Sequence, residues 1–499
     1  MNWGDVAALA EGDVHVIGLA STEGAAVTRF LWSEGVHRLT IHDFLAGDAL
    51  REAFFRFHVG MGRPQREAAW RELAAIPVGR CLGERYLAGV ETATALFVPQ
   101  GWGLYDRNRV PLAKARRLGV PFHSLTELYF GLAGAPITAI TGSHGKSTTS
   151  RMVESILAAA GRRVYFAGNE RGSVQVLDKL RTMGADDALV LEVSNRQLVD
   201  LEARPQVAVL TNIMPNHLQE HGGSLEEYRQ VKGRLFALQG PEDAAVFNAD
   251  DAASAPVARA SRARVHAFSR HRPQAQGAWV EDGRILLRLN GAPAVDAGPV
   301  AAAGLPGDHN VANVLAAARA AWVGGAPAGA VEAGLVAFRP LRHRLQPVWR
   351  ANGVVYYDDL NATTPAATLA AFRALGEPAV WIAGGNDKGL AFDALAAQAR
   401  RCRLVLLLPG EGSDRLGAAL EAAGAPVTRF DTFPGAVARA VAEARPGDAV
   451  LLSPGCPGFY SRHYVGSGAA GFRALLRRLA PAAPRPSPAP GSGSLQRRS

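Results

Sequence analysis

Residues 137–161 read ITAIT-GSHGKSTT-SRMVESILAAAG, and no other stretch restricts the fold as tightly. A short β-branched apolar run at 137–141 leads into a tight glycine loop. A helical pattern follows, with Met152, Val153, Ile156 and Leu157 on one face and Gly161 as its stop. Strand, glycine loop and helix in that order are what a phosphate-binding loop requires. Successive backbone N–H groups and a helix N-terminus face the anion, and Lys146 can set its charge between β- and γ-phosphates. Ser147, beside the lysine, offers a hydroxyl to Mg²⁺. The strict spacing G-x-x-x-x-G-K-[ST] is not met, because Ile140 stands where its first glycine belongs. GKST alone would also serve as a turn and helix cap, but the flanking strand and helix favour an ATP site.

A chain of 499 residues is too long for one core and divides into about three domains at ~150 residues each. No apolar run reaches the roughly 18 residues of a membrane span, and the acidic start MNWGDVAALAEGD lacks the basic region of a secretory signal. Three cysteines, Cys81, Cys402 and Cys456, show no metal-ligand spacing and fit a reducing cytoplasm. The net charge of +9 comes mostly from arginines spread along the chain, without a basic stretch interleaved with aromatics. That favours sites for anionic phosphates over nucleic acid.

Residues 13–43 give a β-α-β pattern: strand VHVIGLA, a helix after Ser21 and Thr22, then RLTIHD ending at Asp43. The loop GLASTEG lacks the full dinucleotide fingerprint. An acidic residue closing the second strand is placed to grip a ribose or base, and would serve equally as a helix N-cap. Residues 51–90 are Arg-rich with helical tendency and carry no motif. The first domain closes near residue 134. Beyond it, ITAIT, RVYFAG, ALVLEVS, VAVLTNI and AAVFNADD alternate with helix-length gaps, the pattern of a parallel sheet covered on both faces. Their C-terminal ends bring the loop 142–149, Asn169, Glu192 and residues 212–217 towards one crevice. After residue 338 the rhythm of strand, loop and helix resumes. From residue 480 the Pro/Ser/Gly-rich sequence reads as a disordered tail.

Nine ordered stretches then carry a resemblance: TGSHGKSTT, LEVSNRQL, TNIMPNHLQEH, YRQVK, GDHNVANVLAA, RPLRHRLQPV, DDLNATTPAA, IAGGNDKG and LLSPGC. Their order and spacing resemble the Mur ligases, and within that family the glutamate-adding branch. The resemblance implies an α/β protein of three domains. A Rossmann-like N-terminal domain (1–134, with the extra segment 51–90) would bind a UDP-linked acceptor. A central P-loop parallel-sheet ATPase domain (135–338) would bind ATP, and a Rossmann-like C-terminal domain (339–479) the amino acid, before the tail 480–499. It implies a cytoplasmic, monomeric ligase of peptidoglycan precursor synthesis that binds neither nucleic acid nor membrane. ATP phosphorylates the carboxylate of a UDP-muramoyl-alanine-type acceptor, and glutamate displaces phosphate from the acyl phosphate.

Carried over residue by residue, the resemblance gives ATP contacts at Gly142, Ser143, His144, Gly145, Lys146, Ser147 and Thr148. Asn310 and Asn313 fall at the adenine, Arg344 near the phosphates, and Asp359 where the third domain closes over ATP. Mg²⁺ would be held by Ser147, Glu192, His217 and Lys232, the last carbamylated on a neutral, desolvated amine; a solvated lysine on a helix is the plain alternative. Lys146, Glu192, His217 and Lys232 form the catalytic set. Substrate contacts fall on Ser21, Thr22, Asp43, Asn169, Ser194, Gln197, Thr363, Lys388, Gly458 and Phe459.

Departures cluster at the amino-acid pocket. Asn361 stands where the family has a lysine and Gly458 where it has a carboxylate-binding serine, while Thr363 and Lys388 are retained. Asn216 replaces the aspartate before His217. The loss of one cation and one donor suggests altered selectivity, with L-glutamate as the first alternative to D-glutamate and Arg462 or His463 as a replacement charge. Two other readings remain open: a folate-type polyglutamate ligase with a different acceptor, and a silent nucleotide-binding partner subunit.

Overall fold

In the computed structural model the described residues are 1–168, 174–202, 204–216, 218–289, 291–376, 379–459, 463 and 471–480. They hold three sheets. The first takes β1 (Val14–Ile17), β2 (Leu39–Asp43), β3 (Gly79–Leu82), β4 (Ala95–Phe97) and β5 (Phe122–His123) in the all-parallel order β3-β2-β1-β4-β5. The order reverses at β1, so the crevice between the loops after β1 and β4 is the natural ligand position. Ser21 starts the helix Thr22–Ser33 by accepting the Gly24 N–H at 2.9 Å. Gly24 lets that helix press onto the loop after β1: a Cβ there would lie 2.2 Å from the Gly18 carbonyl oxygen. The Arg-rich segment becomes two helices, Gly47–Phe57 and Arg63–Ala75, and the edge strand β3. Leu50, Phe54, Leu73 and Ile76 pack them against Leu19, Ala25 and Ile41.

The central sheet is larger than the sequence pattern indicates. It takes β6 (Ile137–Thr141), β7 (Val164–Ala167), β8 (Ala188–Glu192), β9 (Val207–Leu210) and β10 (Ala244–Asn248), joined by β11 (Arg264–Ser269), β12 (Gly277–Glu281), β13 (Arg284–Arg288) and β14 (Val295–Pro299). The order is β14-β13-β12-β11-β10-β9-β6-β8-β7. The last two pairings are antiparallel, which makes the sheet mixed where the sequence pointed to a parallel one. The loop helix Lys146–Ala159 is backed by the helix Ala328–Ala337 at Gly334. A Cβ there would meet the Ile156 Cα at 2.4 Å, so the two backbones touch.

One apolar cluster runs from Val14, Val16 and Phe97 of the first sheet through Leu128, Tyr129 and Leu132 to Ile137, Leu191 and Phe247 of the central one. The first two sheets therefore form a single compact unit, residues 1–304 and 309–338. The second unit, residues 305–308 and 339–499, holds β15 (Gln346–Ala351), β16 (Val354–Asp358), β17 (Val380–Gly384), β18 (Leu404–Leu408), β19 (Val427–Arg429) and β20 (Ala449–Gly455). Their order is β15-β16-β20-β17-β18-β19, parallel except for β15. Among the described residues no helix is long and apolar enough to cross a membrane.

Candidate active site

The loop after β6 is held from below by β9. Ser143 N–H donates to the Asn212 carbonyl and His144 N–H to Asn212 Oδ1, while Thr211 Oγ1 donates to the His144 carbonyl. Two glycines make the curve. Gly142 (φ +149°) has no room for a Cβ, which would fall 1.9 Å from Thr211 Oγ1. Gly145 (φ +83°) would place one 2.1 Å from Asn313 Oδ1. Lys146 begins the helix with its amine on the carbonyls of Gly142 (3.0 Å) and Ser143 (3.2 Å). Ser147 and Thr148 are buried in its first turn.

Lys232, on the helix Leu225–Ala237, donates to the same Gly142 carbonyl at 2.9 Å. It is fully buried, and its amine lies 4.6 Å from the centre of the Tyr228 ring. Burial, and secondly the charge of Lys146, hold its proton affinity well below that of an ordinary lysine. The solvated alternative is therefore excluded. Asn313 is bonded to Thr149 Oγ1 (3.4 Å) and to Asn310 (3.1 Å), so this pair braces the loop helix.

Among the described residues, three buried oxygens around the loop have no hydrogen-bond partner: Thr141 Oγ1, Glu192 Oε2 and Asn216 Oδ1. Thr141 ends β6 and Glu192 ends β8, which are neighbours, and Asn216 follows β9 on the other side of β6. An orphaned buried acceptor costs roughly 1–3 kcal/mol. Oxygens of this kind are what a hard divalent cation takes, with water and phosphate completing its shell. The residues present therefore fit Mg²⁺. Among the described residues no group of three His, Cys, Asp or Glu forms a full protein cage. As a free amine Lys232 offers a hard cation nothing; a carbamate there would supply oxygen. His217 and Asn169 lie outside the described residues.

Between the first two sheets, on the same side, opens a cleft of about 80 Å³ lined in part by Thr22, Glu23, Gln100, Thr126, Glu192 and Gln197. Gln197 belongs to its walls and donates from Nε2 to Thr126 Oγ1 at 2.9 Å, while Ser194 stands behind them with Oγ donating to Gln100 Oε1 at 2.6 Å. Neither Glu23, in the first turn of the helix Thr22–Ser33, nor Gln100, on the loop after β4, stood out in the sequence, because neither belongs to a motif. Asp43 needs correcting. It is buried, and its two oxygens accept the Ala20 and Leu45 N–H groups at 3.0 Å each, clipping the loop after β1 to the end of β2. It neither grips a ribose nor caps a helix.

In the second unit Asp359 is buried, accepting from Ser453 Oγ (2.8 Å) and Leu345 N–H (3.0 Å), and burial pushes its carboxyl up to about 7. Neighbouring Asp358 takes His343 Nδ1 at 2.8 Å. Half-buried Arg344 therefore sits in a clasped turn flanked by left-handed His343 (φ +61°) and Leu345 (φ +44°), a strained backbone held by the two aspartates. Thr363 and Lys388 are half-buried on loops of this unit. Gly458 (φ +78°) has no room for the family's serine: a Cβ would fall 2.6 Å from Asn386 Nδ2. Two expectations fail here. Phe459 is a core residue packed edge-on to Phe433, not a substrate contact. His463 is buried with Nε2 on the Pro409 carbonyl at 2.8 Å, which makes it structural. Arg462 lies outside the described residues.

Residues 140–321 match the Mur ligase middle domain, and residues 343–456 the Mur ligase, glutamate ligase domain. The UDP-N-acetylmuramoylalanine–D-glutamate ligase of Symbiobacterium thermophilum is 35% identical over 414 residues, 82% of this chain and 89% of that one. The chain belongs to the Mur ligase family. A second Mur ligase of the same name, from Pelotomaculum thermopropionicum, is 36% identical over 446 residues, 89% and 92% of the two chains. The fold agrees with solved Mur ligases. The UDP-N-acetylmuramate-alanine ligase of Thermotoga maritima superposes with a TM-score of 0.58 at 16% identity, covering 90% of this chain and 97% of that one. The pseudomurein peptide ligase type C of Methanothermus fervidus gives 0.52 at 18%, covering 88% and 96%.

Proposed function

We propose that this Mur ligase is an ATP-dependent carboxylate–amine ligase that joins glutamate to UDP-N-acetylmuramoyl-L-alanine in the cytoplasmic stage of peptidoglycan precursor synthesis. One observation carries the reading. The phosphate-binding loop and a buried amine of low proton affinity share the Gly142 carbonyl, and the strand beside the loop ends at Glu192, which lines the cleft.

The acceptor carboxylate attacks the γ-phosphorus of ATP, and ADP leaves. The glutamate amine then attacks the acyl carbon, and inorganic phosphate leaves as the amide forms. Both steps gather negative charge beside the loop, where Lys146 and the backbone N–H groups meet it. Mg²⁺, held by Glu192 with the Thr141 and Asn216 oxygens, Ser147 and His217 as further candidates, supplies Lewis-acid stabilisation when bound. Lys232 keeps a neutral amine able to take up CO₂ as a carbamate. Asn310 and Asn313 set the back of the nucleotide site.

The amino-acid isomer is a separate matter. Asn386 occupies the space that a side chain at 458 would need, so the pocket lacks a serine for a physical reason. That favours a changed grip on the glutamate and keeps L-glutamate beside D-glutamate. Phosphate release from ATP decides both points, with UDP-MurNAc-L-Ala, UDP-MurNAc and a folate as acceptors and D-Glu, L-Glu, Asp and neutral amino acids as donors. Turnover only with UDP-MurNAc-L-Ala and glutamate is expected. Turnover with the folate alone, or none, would overturn the reading.

A further inference from the structure

We propose that Asp251 is a positioning residue for the nucleotide, acting through the segment 211–213 on which the phosphate-binding loop rests. This rests on the ATP site assigned above. β9 lies between β6 and β10, and its ladder with β10 runs as far as Leu210 opposite Phe247. Beyond that pair the chain continues through Thr211, Asn212 and Ile213, and one edge of it carries the loop. The Ser143 and His144 N–H groups both end on Asn212, and Thr211 Oγ1 on the His144 carbonyl. The other edge faces the end of β10, where side chains replace the ladder. Asn248 Nδ2 donates to the Thr211 carbonyl at 3.1 Å, and the Ile213 N–H donates to Asp251 Oδ2 at 2.7 Å. Ile213 is buried, so its N–H needs that acceptor.

The carboxylate does more than its own turn asks. Oδ1 caps the short helix Ala252–Ser254 by accepting the Ala253 N–H at 3.2 Å, a task that serine performs as well. Oδ2 is the oxygen that reaches Ile213. Ser254, fully buried, donates its Oγ to the same oxygen at 2.5 Å and so fixes its direction. One chain of bonds thus runs from Ser254 through Asp251 to the backbone next to Asn212, and from Asn212 to the loop. Without Oδ2 a buried donor is orphaned one residue from the support of Ser143 and His144, and the loop amides lose their fixed aim at the phosphates. Among the described residues that line the acceptor cleft, none belongs to this chain. The loss should therefore fall on the β- and γ-phosphates alone.

Titration calorimetry with Mg²⁺ tests this, with wild type, Asp251→Ser and Asp251→Asn against AMPPNP, AMP and UDP-MurNAc-L-Ala. Serine keeps the cap but does not reach Ile213, whereas asparagine keeps both acceptor positions. Asp251→Ser should bind AMPPNP about tenfold or more weakly, with AMP and the acceptor within about twofold of wild type. Asp251→Asn should recover AMPPNP to within about threefold. Unchanged AMPPNP affinity in a folded Asp251→Ser would overturn the proposal. So would an equal loss for all three ligands, which marks a purely structural tie. Should Asp251→Ser not fold, Asn248→Ala, which cuts only the bond to the Thr211 carbonyl, decides in its place: weaker AMPPNP with an unchanged acceptor supports the proposal, and equal binding of AMPPNP overturns it. Wild type that binds AMPPNP but not the acceptor would sink the ligase reading and leave AMP as the control for Asp251. Wild type that binds no AMPPNP would overturn both.

Discussion

Lys146 and Lys232 share one carbonyl oxygen, yet their removal should have different signatures. Lys146→Ala takes away the cation at the transferred phosphate and two bonds to loop carbonyls. Turnover should fall by about 10²–10³-fold or more, with far-UV circular dichroism and thermal midpoint close to wild type. Wild-type turnover in that folded variant would refute the loop assignment. Lys232→Ala should be inactive but recoverable in part by added short carboxylates, and wild type should lose activity when bicarbonate is stripped. Insensitivity to bicarbonate, with no rescue, would remove the carbamate from the mechanism. At this scale the sequence was legible wherever chemistry and motif coincide, as at Lys146 and Glu192. It misled where an acidic or aromatic residue is spent on the fold: Asp43 on two backbone amides, Phe459 on the core, His463 on a carbonyl. Such uses depend on what lies opposite in space, which no spacing encodes.

The elements repeat this pattern. Strands that read as continuous apolar runs were recognisable, because burial on both faces leaves that mark. β11 to β14 were not, since they mix exposed arginines with short apolar pairs and end the sheet antiparallel. The helix Thr22–Ser33 owes its position to a glycine with no room for a methyl group. Gly24→Ala should push it off the Gly18 carbonyl and cost about 1–3 kcal/mol. Because the displaced end carries Thr22 and Glu23, KM for the acceptor should rise while KM for ATP holds. Equal changes in both constants, or neither, would show that the close contact is relieved without moving the cleft.

Across the whole molecule, buried titratable groups pull in opposite directions with pH. Burial lowers His42 and His58 to about 4 and His266 to about 3. The unfolded chain takes those protons from about pH 6.5 downwards, so each histidine withdraws stability as pH falls through that window, of order 3 kcal/mol when complete. Glu23 and Asp359, raised by burial to about 7, act the other way: they hold protons in the fold and lose stability as pH rises from about 4 to 7. Glu23→Gln should therefore raise the urea midpoint at pH 8, by roughly 1–3 kcal/mol of stability. It should leave that midpoint unchanged at pH 4, below the unfolded pKa. An equal effect at both pH values would mean that Glu23 is not held protonated. The three-layered rhythm of the chain was readable, but its grouping was not. The apolar cluster that fuses the first two sheets is assembled from residues far apart in sequence.

The contact of Gly334 with Ile156 bears on how such ligases can be recombined. A chimera that exchanges the glutamate-ligase portion invites a junction near residue 304, where the chain first leaves the larger unit. A cut there hands residues 309–338 to the donor, and with them the helix whose backbone lies against the loop helix. A foreign side chain at that point would wedge against the loop helix at Ile156. The workable breakpoint falls between Phe338 and Arg339, so that whichever parent supplies the nucleotide loop also supplies its backing.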